Sequence, residues 1–181
     1  MVYCAGADPE MKPFRERSLE SMTSLVYRNC IASLSLCHTL APLMADRGRG
    51  GIILLSSGAG LQGITNLVAY SASKSFDMVM GEALWAEYHS FGVDVLSLVL
   101  TTTDTPAFRQ TLVAQGVITD VNETPPIATL VSPQQAVDEA LANLKNGPTW
   151  FVSEAFRTQE KALRAMSRNE AVKTIAQSAK K

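Results

Sequence analysis

The sequence has no surplus of charge of either sign: 16 lysines and arginines stand against 17 aspartates and glutamates in 181 residues, a formal charge of −1. Binding to nucleic acid or anionic membrane needs a one-signed field, which this balance does not supply. The partner expected is a small molecule, with no nucleic acid and no membrane involved. Long apolar runs are missing as well, since none reaches the ~18 residues of a spanning helix. Met1 opens no basic and apolar leader, so a cytoplasmic location is expected. Cysteine is scarce. Cys4, Cys30 and Cys37 form no Cys-x-x-Cys pair, and their odd number argues against a disulfide framework. They are expected to be buried thiols in a reducing compartment. His38 and His89 lie far apart with no carboxylate or cysteine at ligand spacing, so no metal site is expected.

What is present is an alternation of helical and strand patterns, with 46% hydrophobic residues and neither internal repeats nor low complexity. Residues 1–4 are a β-prone scrap running into the turn chemistry of Ala5-Gly6-Ala7-Asp8-Pro9. Residues 19–44 carry apolar positions at helical spacing and stop at a glycine-rich turn. The unbroken apolar run 52–55 reads as a strand buried on both faces, which implies a parallel sheet. A second long helix is expected over 69–88 and another strand over 93–99, making a right-handed crossover. Residues 105–116 read as a short helix and 122–130 as a loop. Ser132-Pro133 then caps a third main helix ending at Asn146-Gly147. A last strand over 148–152 and a charged helix over 158–180 complete the chain. The expected fold is α/β, a doubly wound parallel sheet in a three-layer sandwich, with residues 1–181 as one domain.

Such sheets bind ligands outside the carboxyl ends of their strands. The segments 4–8, 56–63 and 100–106 lie there. The strand ending at Ser56-Ser57 is followed by Tyr70, and Lys74 comes one helical turn later on the same helix face. A phenol with an ordinary pKa near ~10 exchanges protons poorly at neutral pH. A neighbouring ammonium brings it toward the working range, and a serine on a rigid strand end can orient the same substrate oxygen.

These residues resemble the short-chain dehydrogenase/reductase family through motifs in order along nearly the whole chain. Tyr3-Cys4-Ala5-Gly6 is similar to the family's Asn-Asn-Ala-Gly, Asn29 to its catalytic asparagine, and the 52–57 strand to its fifth strand with the catalytic serine. Tyr70-Ser71-Ala72-Ser73-Lys74 resembles its tyrosine-lysine motif, and Thr102-Thr103-Asp104-Thr105-Pro106 the loop beside the nicotinamide amide. The resemblance implies an oxidoreductase moving a hydride between NAD or NADP and a carbonyl or alcohol. Tyr70 would be the acid/base, Lys74 would lower its pKa and bind ribose, Ser57 would orient the carbonyl, and Asn29 would hold a relay water. Implied cofactor contacts are Cys4, Ala5, Gly6, Tyr70, Lys74, Leu100, Thr101, Thr103 and Thr105. It also implies a homodimer or homotetramer through the 19–44 and 69–88 helices, with Met78, Leu84 and Trp85 at the interface.

Departures from the family pattern set the alternatives. Leu100-Thr101 replaces a Pro-Gly, and the glycine-rich phosphate cradle that precedes Asn-Asn-Ala-Gly in the family is not among these residues. The chain is therefore expected to correspond to the carboxyl-terminal two-thirds of the family's domain, and the NAD-selecting position lies outside it. Gly58-Ala59-Gly60-Leu61-Gln62-Gly63 spells Gly-x-Gly-x-x-Gly, yet Asp77, at the distance of the acidic partner, falls inside the Tyr70 helix. A loop bordering the substrate pocket is the expectation. Ser71 with Lys74 also spells the Ser-x-x-Lys of serine-lysine hydrolases, without that class's other motifs. A non-catalytic binding module is the remaining alternative. Without the backbone N–H cradle for a pyrophosphate, the 181 residues alone are expected to give no turnover, read as loss of reduced-nicotinamide absorbance with a panel of ketones and alcohols. Robust turnover would instead make residues 58–63 a phosphate site.

Overall fold

The computed structural model describes residues 1–8, 10–127 and 129–178. Four parallel strands, β1 (Val2–Tyr3), β2 (Gly50–Ser57), β3 (Val93–Leu100) and β4 (Thr149–Phe151), lie in the order β1-β2-β3-β4. Both central strands are apolar on both sides because helices cover both faces of the sheet. Ile52, Leu54, Val93 and Val95 point into one cluster with Cys37, Ala41 and Met44, while Ile53, Leu96 and Leu98 point into another with Ala136, Ala140 and Val152. The alternation is the period-2 consequence of the pleat. The expected α/β sandwich with a parallel sheet is the architecture observed.

The first face is covered by α2 (Ala32–Asp46) and α3 (Val68–Tyr88), with α1 (Leu19–Val26) packed on α3, and the second by α5 (Pro133–Asn143). Ser132 caps α5 as its sequence indicated, its hydroxyl accepting from the Gln135 N–H at 3.0 Å. Between β3 and α5 lies α4 (Pro106–Ala114), capped by the Thr105 hydroxyl on the Phe108 N–H. The helix expected over 19–44 is present but not uniform. Residues Tyr27–Ile31 form a π turn between α1 and α2, in which Asn29 and Cys30 are buried. One wide turn adds a residue without ending the helix, and periodicity alone does not mark it.

Two expectations need correction. The helix expected over 158–180 is two helices, α6 (Glu154–Arg164) and α7 (Arg168–Ser178); residues beyond 178 lie outside the described ones. The break is a capping box: the Ser167 hydroxyl accepts from the Glu170 N–H at 3.3 Å while the Glu170 carboxylate accepts from the Ser167 N–H at 2.9 Å. Cys4 is exposed rather than buried, because β1 stops pairing at Tyr3, whereas Cys30 and Cys37 are buried. Leu84 and Trp85 are partly buried against the core cluster of this same chain, and Val68, Phe76 and Val79 are exposed apolar residues of α3.

Glu139 of α5 ties β4 and α6 to the sheet. Its carboxylate accepts from the Trp150 indole at 2.9 Å, the Ser153 N–H at 3.1 Å, Arg157 at 2.9 Å and Gln135 at 3.0 Å. Burial raises its pKa, but these hydrogen bonds together hold it below the ordinary value of 4.5. A depressed carboxylate contributes stability that is fully present above its unfolded pKa and is lost as pH falls through the folded one. Glu139→Gln is expected to lower stability at pH 7 by about 1–3 kcal/mol. The gap to the wild type should close as pH drops below 4.5, measured from urea midpoints across the acid range. A gap independent of pH would contradict the assignment.

Candidate functional site

The carboxyl ends of β1, β2 and β3 come together because the strands are parallel and in register, with Tyr3 beside Leu54 and Ser57 beside Leu100. Ser57, the last residue of β2, has extended backbone, and its hydroxyl accepts from the Ala59 N–H at 3.2 Å. The chain then makes a tight turn at Gly58–Gly60 and presses on α3. A Cβ on Gly60 would lie 2.6 Å from the Lys74 carbonyl carbon, and one on Gly58 would lie 2.7 Å from the Phe156 ring. These glycines serve close packing against the chain's own helices, which accounts for the Gly-x-Gly spacing without a phosphate. The Ser56 hydroxyl donates to the Lys74 carbonyl at 2.6 Å and fastens β2 to α3.

Tyr70 stands in the first turn of α3, and the Ser57 side chain lies near enough to its phenol to lower the phenol's pKa. Lys74 follows one turn later, with its nitrogen 6.0 Å from the Tyr70 ring centre. The Lys74 side chain is buried. Its ammonium donates to the Leu55 carbonyl at 2.7 Å and to the Asp77 carboxylate at 3.0 Å. Asp77, fully buried, is also reached by the Ser33 hydroxyl of α2 at 3.2 Å. Asn29 is fully buried in the π turn. Its amide N–H donates to Ser73 at 2.8 Å and to the Gly6 carbonyl at 3.4 Å, and its Oδ1 has no hydrogen-bond partner. Ser73 donates in turn to the Tyr70 carbonyl at 2.8 Å. The fold thus brings Asn29, Ser57, Tyr70 and Lys74 into one neighbourhood.

Burial is the largest influence on the Tyr70 phenol and raises its pKa above 10.0; the Ser57 hydrogen bond lowers it, and the charges of Asp8 and Asp77 raise it further. Burial also raises the Asp77 carboxyl, against the pull of Lys74 and Ser33. The ammonium of Lys74 is met by the Leu55 carbonyl and by Asp77. A phenol held above its ordinary pKa stays protonated at neutral pH and is a weaker acid than a free one.

The remaining sequence-predicted residues line the same rim. Cys4 and Ala5 are exposed just past β1, and Gly6 follows with φ +114. Leu100 ends β3 and packs on the α5 side of the sheet. Thr103 bridges Val131 and donates to the Thr101 carbonyl at 3.2 Å, while the Thr105 hydroxyl is engaged as the α4 cap. Ser71 accepts from the Ile64 N–H at 3.3 Å, and the Lys74 amine bonds elsewhere, so the Ser-x-x-Lys pair is not joined by a hydrogen bond. Among the described residues no cluster of histidine, cysteine and carboxylates could hold a metal ion, and no helix is long and apolar enough to cross a membrane.

The sequence reading missed Asp77, Ser33 and Ser73. Asp77 was available as the i+3 neighbour of Lys74 on one helix face. Ser33 was not, since its approach to Asp77 crosses between helices 44 residues apart in sequence.

A parallel α/β sheet carries serine, tyrosine and lysine at its carboxyl edge, and comparison with known proteins shows the family to which this arrangement belongs. A family model described as short chain dehydrogenase matches residues 1–115. The chain belongs to the short-chain dehydrogenase family. It is 35% identical over 101 residues to a very-long-chain 3-oxoacyl-CoA reductase of Neurospora crassa, covering 55% of this chain and 30% of that protein. It is 32% identical over 91 residues to the human inactive hydroxysteroid dehydrogenase-like protein 1, covering 50% of this chain and 28% of that one. The chain thus matches under a third of the length of these relatives. Among solved structures, a 7beta-hydroxysteroid dehydrogenase superimposes with TM-score 0.81 at 23% identity, over 97% of this chain and 65% of the other. A short-chain dehydrogenase from Burkholderia cenocepacia in complex with NADP gives 0.75 at 23% identity, over 96% and 67%.

Gly6 is the point where β1 meets the π turn. An added Cβ would fall 2.2 Å from Asn29 Oδ1 on a backbone with φ +114, which side chains rarely adopt. Gly6→Ala is expected to destabilise the chain by about 1–3 kcal/mol, read as a lower urea midpoint at unchanged slope. A neutral effect would mean that Asn29 is not fixed by this contact.

Proposed function

We propose that the chain carries the acid/base half of an oxidoreductase that transfers a hydride between NAD or NADP and a carbonyl or alcohol carbon. The single observation that carries this reading is the Tyr70 phenol beside Ser57 at the carboxyl edge of the sheet, with the Lys74 nitrogen one turn below and 6.0 Å from the Tyr70 ring centre. When bound, the nicotinamide cofactor supplies or takes the hydride.

The residues present fit the nicotinamide-ribose end of such a cofactor. The Ser57 and Tyr70 side chains are neighbours, and Lys74 has three N–H donors of which two are committed, leaving one for a ribose hydroxyl. Backbone at Cys4, Ala5 and Gly6 and the Leu100, Thr101, Thr103 and Thr105 loop would flank it. Ser57 orients the substrate oxygen by hydrogen bonding, and Tyr70 transfers the proton to that oxygen in reduction or removes it in oxidation. Burial favours the protonated phenol, so the proton sits where reduction needs it. Asn29, tied to Ser73 and Gly6, holds the π turn against α3 and keeps an unpaired carbonyl oxygen for a relay water. The exposed apolar residues Leu19, Val26, Ile31 and Val79 fit a dimer or tetramer built on α1 to α3.

A second reading, a fold kept for binding without turnover, draws on the name of the inactive human relative. The two readings separate in one experiment. In a chain extended upstream by a glycine-rich strand-turn-helix, ketone reduction should be measurable, and Tyr70→Phe should reduce it by at least ~10²-fold, the contribution of a positioned acid/base, with cofactor affinity nearly unchanged. Cofactor binding without turnover in the unmutated extended chain would favour the binding module.

A further inference from the structure

Lys74 is anchored from two directions deep beneath Tyr70. Its ammonium donates to the Leu55 carbonyl of β2 at 2.7 Å and to Asp77 of α3 at 3.0 Å, and the two side chains are only 5% and 1% exposed. Ser33, four residues after Asn29, lies 3.2 Å from Asp77 and 2.7 Å from the Asn29 carbonyl, so its one hydroxyl proton is shared between the two. The line of contacts runs from the π turn through Ser33, Asp77 and Lys74 to the strand that ends at Ser57. A lysine stem is long and flexible, so its head goes where a counter-charge holds it. With only the Leu55 carbonyl as partner, the ammonium would gain by turning up toward the phenol oxygen and water. The negative charge of Asp77 is central enough to be felt by Tyr3, Cys30, Cys37 and Tyr70.

We infer that Asp77 is a positioning residue: it holds the Lys74 ammonium down against the Leu55 carbonyl and so sets how much of that positive charge reaches Tyr70. The inference rests on the reading of Tyr70 as the acid/base and adds to it the group that regulates it. The groups facing Tyr70 are Ser57 from β2, Asp8 from the segment after β1, and Lys74 and Asp77 from α3. Asp8 is ion-paired with Arg17, so Asp77 is the carboxylate that answers the Lys74 ammonium. Neutralising Asp77 removes its charge from beside Tyr70 and also frees the ammonium to approach, and both changes favour the phenolate.

The test needs neither cofactor nor turnover. The 181-residue chain, labelled with carbon-13 at the tyrosine Cζ, has four tyrosines, and the Tyr70 resonance is the one lost in Tyr70→Phe. Asp77→Asn is expected to lower the Tyr70 titration midpoint by about one pH unit, and Asp77→Glu to restore most of it. In a Lys74→Met background the same Asp77→Asn exchange should move the midpoint less than half as far, since there is no ammonium to release. An unmoved midpoint in Asp77→Asn, or an equal fall without Lys74, overturns the inference. Where Asp77→Asn does not fold by circular dichroism, Ser33→Ala serves instead. It leaves both charges and loosens Asp77, so a smaller fall is expected that vanishes in Lys74→Met, and no fall overturns the inference. Failure of this titration removes the positioning role alone, whereas failure of the extended chain to turn over removes the acid/base reading and leaves the titration untouched.

Discussion

A buried ammonium has to be answered by the protein around it, and the arrangement near Lys74 follows from that requirement. Taking away one partner of a buried ion pair typically costs about 3–5 kcal/mol, far more than an exposed pair contributes. Here the answer comes from the Leu55 carbonyl, Asp77 and, behind Asp77, Ser33. For these groups to meet, α3 has to lie close on β2. Gly60 and the Ser56 hydroxyl secure that approach at the Lys74 backbone, and Gly81, whose Cβ would sit 2.1 Å from the Ser97 hydroxyl, secures it on β3.

The same close approach fixes Tyr70. A residue in the first turn of a helix pressed on a strand end has little freedom in where its side chain goes, and Tyr70 meets Ser57. The π turn completes the site from the other side. Its extra residue turns Asn29 inward, where the amide reaches Gly6 at the end of β1 and Ser73 on α3. Only a residue without a side chain fits at Gly6, so three elements meet on two amide contacts. π turns inside long helices occur often at functional sites, and here the turn is what joins the helix to the rim.

Membership of the short-chain dehydrogenase family and the parallel sheet agree with each other. The acidic surroundings of Tyr70 add something that neither conveys. With Asp8 and Asp77 both raising the phenol, the site is biased toward the protonated form, and the tyrosine-lysine spacing taken alone points the other way.

Much of this was legible in the residues. Helix spacing in 69–88, the apolar runs of the central strands, the Ser132 cap and the Tyr70-Lys74 spacing are local patterns, which a sequence states outright, whereas Asn29 stood out only through the resemblance to a known family. The capping box at Ser167 and Glu170 was equally local and was passed over within a charged stretch. What lay beyond the sequence was pairing across space: which group neutralises Lys74, whether Cys4 stays within the last paired residue of β1, and whether Leu84 and Trp85 face the core or a partner. A residue's type and spacing determine its element and its face. Its counter-charge, its burial and hence its pKa depend on atoms brought close by chain closure over tens of residues, and only the tertiary structure decides those, because Coulomb and desolvation energies follow distance in space rather than separation along the chain.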